Sequence, residues 1–538
     1  MSSTLSRQGN LHAVVKGPHA QPSTVADLPV ELLSIIFVLL ANSHNDNWQA
    51  KSPPCTYLSH VCRRWRAVAI ACQELWSTGY LPRSTVEWTK TCLSRCPSIP
   101  LTVLIGYSNN DFDRGREAIG LVMHHRDRIR ALYVRHYPAA GPEPATDLAT
   151  LLGFLSYSNV YLEELELSFN REMSIPSLIG RKPDSVILPE DVFSSLRPRH
   201  LRQVHLSECV ISPTAPFVNS FGHSLRDLDL FNVQAWRDVD SIIRDLQAVP
   251  LLERFYYGYE RDEGIFDSQP SRIHPPRCVP LPRLMDLTLA GFWLQNTTIF
   301  TYIAVPSQCR IDFCYREMDH LNDVPEATVQ EVILLYGDAL RQHFAPATLQ
   351  GVFYPIVEVT MYGLVAKTAV AGQSTAASVL LPVEIELYIP VTNVEGDPTI
   401  EAVYRTYLSL PVVTKATRLA FNLKAWDYCP GVFEEYTHVR ELDLEADEDA
   451  EAFTRALRSK GLRLFPALER IIIETESYEY IELETLRELV ALLLENHAAS
   501  DTFRGFVLKG PIENGSDDEN LEKELVSRLG AHRVVRER

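Results

Sequence analysis

The sequence predicts a chain of the α+β / α/β class, in which a short N-terminal helical module is followed by an irregular solenoid of strand–helix repeats. Two observations predict it. Residues 27–76 carry apolar side chains at helical spacing, and an apolar triplet of strand spacing recurs from residue 129 onward. With 538 residues, 46% of them hydrophobic, the chain is long enough for about three domains or one long repeat array.

The charge balance excludes two classes of partner. There are 51 Lys+Arg and 69 Asp+Glu, a net charge of −18, which argues against a general nucleic-acid binder and against docking on an anionic membrane. The acidity is concentrated in residues 430–538, where 14 basic and 25 acidic residues give −11. No apolar run approaches the roughly 20 residues of a membrane span.

The first predicted helix opens at Asp27-Leu28-Pro29. Proline suits a first helical turn because its missing N–H would have no partner there, and the Asp27 carboxylate can accept from first-turn amides. Residues 32–40 are apolar almost all round. Such a helix must be covered on more than one side.

A second helix is predicted from one apolar stripe, followed by a short turn at Leu75-Trp76. The stripe consists of Leu58, Val61, Cys62, Trp65, Val68, Ala69 and Cys72. A module of this size has too small a core to be very stable alone. We therefore expect it to need the next domain or a partner.

Together, Leu28-Pro29, Val61-Cys62 with Trp65, and Leu75-Trp76 resemble an F-box. The resemblance covers residues 27–76 and implies binding of the SKP-type adaptor of a cullin-based ubiquitin ligase. It assigns this contact to Leu28, Pro29, Leu32, Ile36, Leu58, Val61, Cys62 and Trp65. The polar stretch 42–54 is longer than the usual connection between the two helices of that family.

The remainder of the chain is organised by the triplet. Its first six copies are Ile129/Leu132/Val134, Leu162/Leu165/Leu167, Leu201/Val204/Leu206, Leu225/Leu228/Leu230, Leu252/Phe255/Tyr257 and Leu284/Leu287/Leu289. Weaker copies start at Ile356, Val439 and Leu468. Alternate residues of a strand face opposite sides, so the triplet enters the core and the positions between face outward. Helical spacing between the copies predicts stacked parallel strands.

This pattern resembles leucine-rich repeats with insertions. We predict a disordered tail over 1–26 and a leucine-rich-repeat-like solenoid over 98–320. Residues 321–430 are predicted either to continue it less regularly or to form a separate segment. Residues 431–538 are predicted to be an acidic repeat-like region, with a polar break at 510–519 and a capping helix that carries Leu521, Leu525 and Leu529.

Motifs of catalysis and metal binding are missing from the sequence. There is no Gly-x-Ser-x-Gly, His-Glu-x-x-His or phosphate loop, and the adjacent His124 and His125 point apart on any regular element. The acidic run 445–451 is interpreted as a solvated loop. We expect no enzyme activity, catalytic residue, cofactor or metal, although a cryptic enzyme within 325–425 is left open as a third hypothesis.

The main functional hypothesis is the substrate-recognition subunit of an SKP–cullin–F-box ubiquitin ligase, similar to the F-box proteins with leucine-rich repeats that are abundant in fungi. The alternative is a non-catalytic scaffold whose F-box helices cap the solenoid or bind the adaptor without a cullin. The expected compartment is the cytoplasm, with the nucleus left open.

Outward triplet positions are the candidate contacts for a protein client. They include Glu163, Glu166, Arg202, His205, Asp227, Asp229, Glu441 and Asp443. The acidic C-terminal half predicts a client with a basic patch that docks there. Solubility is an equally good reason for the acidity.

Overall fold

The structure is a computed structural model that describes most of the chain. The described residues are 28–43, 54–77, 85–107, 112–136, 161–169, 186–188, 200–212, 224–260, 266–314, 321, 324–360, 362–368, 381–390, 397–460, 464–474, 483–497, 503–509 and 517–537. The predicted tail 1–26, Asp27 and most of the polar stretches 42–54 and 510–519 lie outside these ranges. The chain divides into unit 1, Met1–Leu104 with Asp113–Arg128, and unit 2, Ile105–Phe112 with Ile129–Arg538.

Unit 1 is helical. Its helices are α1 Val30–Ser43, α2 Pro54–His60, α3 Arg63–Ala71, α4 Gln73–Ser77, α5 Val86–Arg95 and α6 Phe112–Met123, the last beginning at the unit boundary. The strand β1 Leu101–Tyr107 also crosses that boundary. The predicted helix is present, but Pro29 lies just before its first turn and not within it: α1 starts at Val30, and the Pro29 carbonyl accepts the Leu33 N–H at 3.1 Å.

The prediction of one continuous second helix was wrong. The apolar stripe is divided between α2 and α3, because Cys62 adopts an extended backbone between them. The Cys62 Sγ accepts from the Trp65 N–H at 3.4 Å and so caps α3. The break removes Val61 and Cys62 from both helices, and both side chains are exposed.

The core of unit 1 is built on one face of α1. Leu33, Phe37 and Ala41 are buried at i, i+4 and i+8, and the Phe37 ring lies 4.9 Å from the Trp65 ring of α3. The Trp76 indole N–H donates to the Ala69 carbonyl at 2.6 Å and joins α4 to α3. Burial of Leu33, Phe37 and Ala41 therefore covers one side of α1.

Unit 2 contains the remaining strands. They are β2 Ile129–His136, β3 Glu164–Ser168, β4 Val186–Leu188, β5 Gln203–Ser207, β6 Cys209–Ile211, β7 Asp227–Phe231, β8 Arg254–Tyr259, β9 Val279–Pro280, β10 Asp286–Gly291, β11 Ile303–Ala304, β12 Arg310–Cys314, β13 Ile356–Thr360, β14 Gly363–Lys367, β15 Glu384–Tyr388, β16 Arg418–Ala420, β17 Glu441–Leu444, β18 Arg470–Glu474, β19 Gly505–Lys509 and β20 Val534–Glu537.

One long sheet joins most of these strands. Its order within unit 2 is β2-β3-β5-β7-β8-β10-β12-β15-β14-β13-β16-β17-β18-β19-β20, while β11 pairs with β9 and β4 with β6 in two small sheets. Neighbours in the long sheet are parallel, as the repeat pattern predicts, except at β13–β14 and β14–β15. The chain is thus a mixed α/β protein with a large parallel sheet.

The leucine positions of the triplets fill one face of that sheet. Leu228 is 1% exposed and Leu230 is fully buried, whereas Asp227 and Asp229 between them are only partly covered. The same alternation runs through β3, β10 and β12. The predicted assignment of inward and outward positions therefore holds along these strands.

Helices connect many of the strands. They are α7 Val239–Gln247, α8 Trp293–Tyr302, α9 Glu326–Leu349, α10 Pro398–Leu408, α11 Leu423–Tyr428, α12 Asp447–Lys460, α13 Leu483–His497 and α14 Asp517–Leu529. α7 begins with a capping box, in which the Asp238 carboxylate accepts from the Ser241 N–H at 2.8 Å. None of the helices within the described ranges is long and apolar enough to cross a membrane.

The segment 321–430, which the sequence left uncertain, lies in the same sheet through β13 to β16. It departs from the repeat where the chain turns back after β13, with Thr360 pairing to Gly363, and this makes β14 antiparallel to both neighbours. Gly363 has φ +151°, and a Cβ there would overlap the Leu387 carbonyl oxygen. Only glycine fits this turn without strain.

The acidic C-terminal region contains a further correction. The solvated loop predicted at 445–451 is in part helical, because Asp447, Glu448 and Asp449 form the first turn of α12. Carboxylates at this end are stabilised by the helix dipole, which explains a helix where the charge pattern indicated a loop. The predicted C-terminal helix exists as α14, and β20 follows it as one more strand of the sheet.

Candidate binding surfaces

Unit 1 exposes a large apolar surface on α1. The residues of this α1 apolar face are 36–62% exposed; they are Leu32, Ile35, Ile36, Leu39 and Leu40. They lie beside the buried positions Leu33 and Phe37. Contiguous exposed apolar patches of this kind mark interaction sites in soluble proteins.

The predicted adaptor contacts occupy different environments within unit 1. Pro29, Leu32, Ile36 and Val61 are exposed and could touch a partner. Leu58, in contrast, is buried within the module.

Three other predicted contacts have structural partners within unit 1. Trp65 is half-buried against Phe37, the exposed Cys62 caps α3, and the half-buried Leu28 offers its carbonyl to the Arg64 guanidinium. Trp65 and Leu28 can therefore shape a surface without forming its exposed part, whereas Cys62 is itself exposed.

Sequence reasoning missed three positions of the α1 apolar face: Ile35, Leu39 and Leu40. Tyr57 and Ile70 are further exposed apolar side chains of unit 1. The signal for the α1 residues was present in the all-round apolar character of residues 32–40. The F-box resemblance does not include these residues, because it assigns adaptor contact only to the positions of its own motif.

Unit 2 carries a second candidate surface on the sheet face that the leucines do not occupy. In-register pairing lines up its side chains in two rows across the strands. Row A consists of Glu164, Gln203, Asp227, Arg254, Asp286 and Arg310. Row B consists of Tyr133, Glu166, His205, Asp229, Tyr256, Thr288, Asp312 and Glu386.

Row A alternates in sign from Asp227 to Arg310, so each charge has an opposite neighbour on the next strand. Arg254 holds Asp227 with two hydrogen bonds, of 2.5 and 2.9 Å. Cross-strand pairs of opposite charge stabilise a sheet. The charges from Asp227 to Arg310 are therefore compensated within the row itself.

Row B has a different character, because none of its positions is Lys or Arg. Glu166 is held from outside the row by Arg135, at 2.5 and 3.0 Å. Asp229 lies 2.7 Å from the His205 Nδ1. Partial burial would lower the pKa of His205, but the hydrogen bond and negative charge of Asp229, with the charge of Glu166, outweigh burial and raise it.

Rows A and B border a groove of about 390 Å³. Its lining includes the carboxylates of Glu164, Glu166, Asp227, Asp229 and Asp286, against the single guanidinium of Arg254. The rings of Tyr133 and Tyr256 also line it. The groove is thus acidic with aromatic walls, a chemistry suited to a cationic ligand.

The predicted client contacts are brought together only in part. Glu166, His205, Asp227 and Asp229 line the groove.

Glu163 and Arg202 precede the strands, with Glu163 paired to Arg130 at 3.0 Å. Glu441 and Asp443 lie on β17, which is outside the lining of this groove. Asp443 keeps its predicted face but is only 6% exposed, because Arg418 on β16 covers and pairs with it at 2.8 Å. It is therefore not an open contact position.

Sequence reasoning missed Tyr133, Arg254, Tyr256 and Asp286 in this groove. They occupy the same between-triplet positions as the residues that were chosen, so the triplet register could have found them. In the part of the chain that the structure describes, no group of three His, Cys, Asp or Glu side chains is placed to hold a metal ion.

Comparison with known proteins leaves the family open. No protein-family model matches the sequence, and no curated protein matches it. The solved structure of the leucine-rich-repeat-containing protein LegL7 from Legionella pneumophila aligns with 68% of this chain and 98% of its own length, at 12% identity and a TM-score of 0.20. This TM-score is too low to support a shared fold. The repeat character is inferred from the strand register alone.

Proposed function

We propose that unit 1 is an F-box that binds an SKP-type adaptor, and that unit 2 holds a protein client for a cullin-based ubiquitin ligase. The observation that carries the first part is the α1 apolar face. Burying such a face against a partner helix is a common mode of protein recognition. The resemblance of Leu28-Pro29 with Val61-Cys62 and Trp65 supports the adaptor as that partner.

In this proposal the chain performs no chemistry of its own. It raises the local concentration of a client beside the enzyme that transfers ubiquitin, which is catalysis by proximity on the part of the ligase. The long sheet supports the second part, because repeat arrays present extended binding surfaces. The compartment this implies is the cytoplasm or the nucleus.

The test is affinity purification of the full chain followed by identification of the proteins bound to it. We expect an SKP-type adaptor and a cullin with the parent chain, and neither with Leu32→Lys/Ile36→Lys. The matched control Leu334→Lys/Leu349→Lys changes two exposed leucines of α9 and should retain both.

The result also separates the proposal from its alternative. Adaptor without cullin would favour a non-catalytic scaffold. Neither protein with the parent chain would reject the adaptor-binding assignment altogether.

A further inference from the structure

We propose that row B is a docking track for an extended, arginine- or lysine-rich segment of a client protein. The inference rests on the proposed function in treating unit 2 as the client-binding part. It goes further by naming the chemistry of the client and by placing its site on β3 to β15 instead of the more acidic C-terminal region.

The first argument is the unequal compensation of charge in the two rows. From Asp227 to Arg310, row A neutralises itself by alternation, as Asp227 with Arg254 shows. In row B, Asp312 and Glu386 are direct cross-strand partners of like sign. Like charges directly opposite each other destabilise a sheet, so a cation placed between them would be stabilising.

The groups around this pair compensate it only weakly. Arg310 approaches Asp312 at 3.9 Å, the limit of an ion pair. The Glu386 carboxylate accepts from the Tyr388 hydroxyl at 2.8 Å, and the Asp312 carboxylate accepts from the Cys314 thiol at 3.0 Å. These are neutral donors, so the negative charge of the pair is largely retained.

The second argument is the shape and apolar lining beside the pair. A groove of about 510 Å³ is lined by Asp312, Glu384 and Glu386, by Arg310, and by Leu381, Pro382 and Val383, of which only Val383 is exposed. Val383 is 66% exposed. Arg and Lys side chains pack their methylene stems on apolar surface while the charged end meets a carboxylate, which matches this combination.

The third argument is the spacing along the row. Neighbouring strands lie about 4.8 Å apart, so the five strand steps from Glu166 to Asp312 cover roughly 24 Å. An extended segment advances about 3.4 Å per residue, so about seven residues span that distance. Tyr256 lies between the two carboxylates, where its ring can stack on a guanidinium.

The experiment measures binding of a fluorescein-labelled eight-residue peptide of alternating Arg and Ser to the full chain, by fluorescence anisotropy at about 0.15 M salt, a moderate screening condition. The same peptide with citrulline replacing Arg keeps the shape and removes the charge. The row B variant is Asp312→Asn/Glu386→Gln. The charge-matched control is Glu448→Gln/Glu451→Gln, at two exposed positions of α12.

We expect the Arg peptide to bind the parent chain, the citrulline peptide to bind at least tenfold more weakly, and the row B variant to lose at least tenfold in affinity. The control variant should stay within twofold. Thermal melting should show the row B variant at least as stable as the parent, because its substitutions relieve repulsion; loss of binding then cannot come from unfolding.

Equal losses in both variants would show that only the net charge attracts the peptide, and would overturn the proposal. So would equal binding of the citrulline peptide, or no binding of the Arg peptide to the parent chain. Adaptor binding, measured on the same samples, separates the two proposals: a failed peptide assay with intact adaptor binding rejects row B alone.

Discussion

His205 lines the groove, and its protonation state changes the net charge there. Asp229 lies 2.7 Å from its Nδ1, and Glu166 and Arg135 are the other charged groups that act on it. Partial burial disfavours the charged imidazole, but the two carboxylates outweigh that effect, so the pKa lies above the ordinary 6.5. A group of this kind stabilises the folded state fully below pH 6.5, and the contribution is lost as pH rises through the folded pKa.

The corresponding measurement is a histidine-selective NMR titration of the full chain. We expect His205 to titrate above 6.5 in the parent and at lower pH in Asp229→Asn, since that change removes the main opposing charge. Identical His205 titrations in the two proteins would contradict the ion pair.

Leu228 and Asp229 test the register at neighbouring positions. Leu228 is 1% exposed, so Leu228→Asp places an unpaired charge in the core and should cost at least about 4 kcal/mol of unfolding free energy. Asp229→Asn removes one partner of a surface pair and should cost about 1 kcal/mol or less. Urea unfolding compares the two, and similar losses would mean that the faces are misassigned.

At the scale of elements, the strands followed from sequence where leucine spacing was regular. Leu225, Leu228 and Leu230 predict β7 because a parallel strand buried on one face needs apolar residues at alternate positions. β14 has no such triplet and escaped prediction, since its place is fixed by the turn at Gly363 and by antiparallel partners. The burial of Asp443 depends on Arg418 of the neighbouring strand, which no local pattern reveals.

Helix boundaries show the same division between local and non-local causes. The all-round apolar α1 was predictable from composition, and its exposed face is the main surface of the candidate site. The break at Cys62 was not predictable from periodicity, because Leu58, Val61, Cys62 and Trp65 have the spacing of one continuous helix. The start of α12 does not follow from the charge pattern, because a dense acidic run suits both a solvated loop and the first turn of a helix.

Gly363 provides a test of the hairpin element. Gly363→Ala should lower the free energy of unfolding by about 2–4 kcal/mol, because a Cβ meets the Leu387 carbonyl at a φ that L-residues avoid. Gly431→Ala is the matched control, with φ −75° and open space around its Cβ position. The urea unfolding midpoint should fall for Gly363→Ala and stay unchanged for Gly431→Ala. Equal midpoints for the two variants would contradict the close contact between Gly363 and the Leu387 carbonyl.

For the whole molecule, the two candidate surfaces belong to different units and differ in chemistry. The α1 apolar face offers hydrophobic contact, whose strength varies little with salt. Row B offers carboxylates, whose attraction for a basic segment is screened as the Debye length falls from about 10 Å at 0.1 M to about 3 Å at 1 M salt. A receptor built in this way would hold its adaptor at salt concentrations that release its client.

The central claim is that the α1 apolar face binds an SKP-type adaptor, and isothermal titration calorimetry with purified proteins tests it most directly. We expect the parent chain to bind, Leu32→Lys/Ile36→Lys to bind at least about a hundredfold more weakly, and Leu334→Lys/Leu349→Lys to match the parent. Because the changed residues are exposed, all three chains should melt alike. Undiminished adaptor binding by the Leu32→Lys/Ile36→Lys chain would contradict the claim.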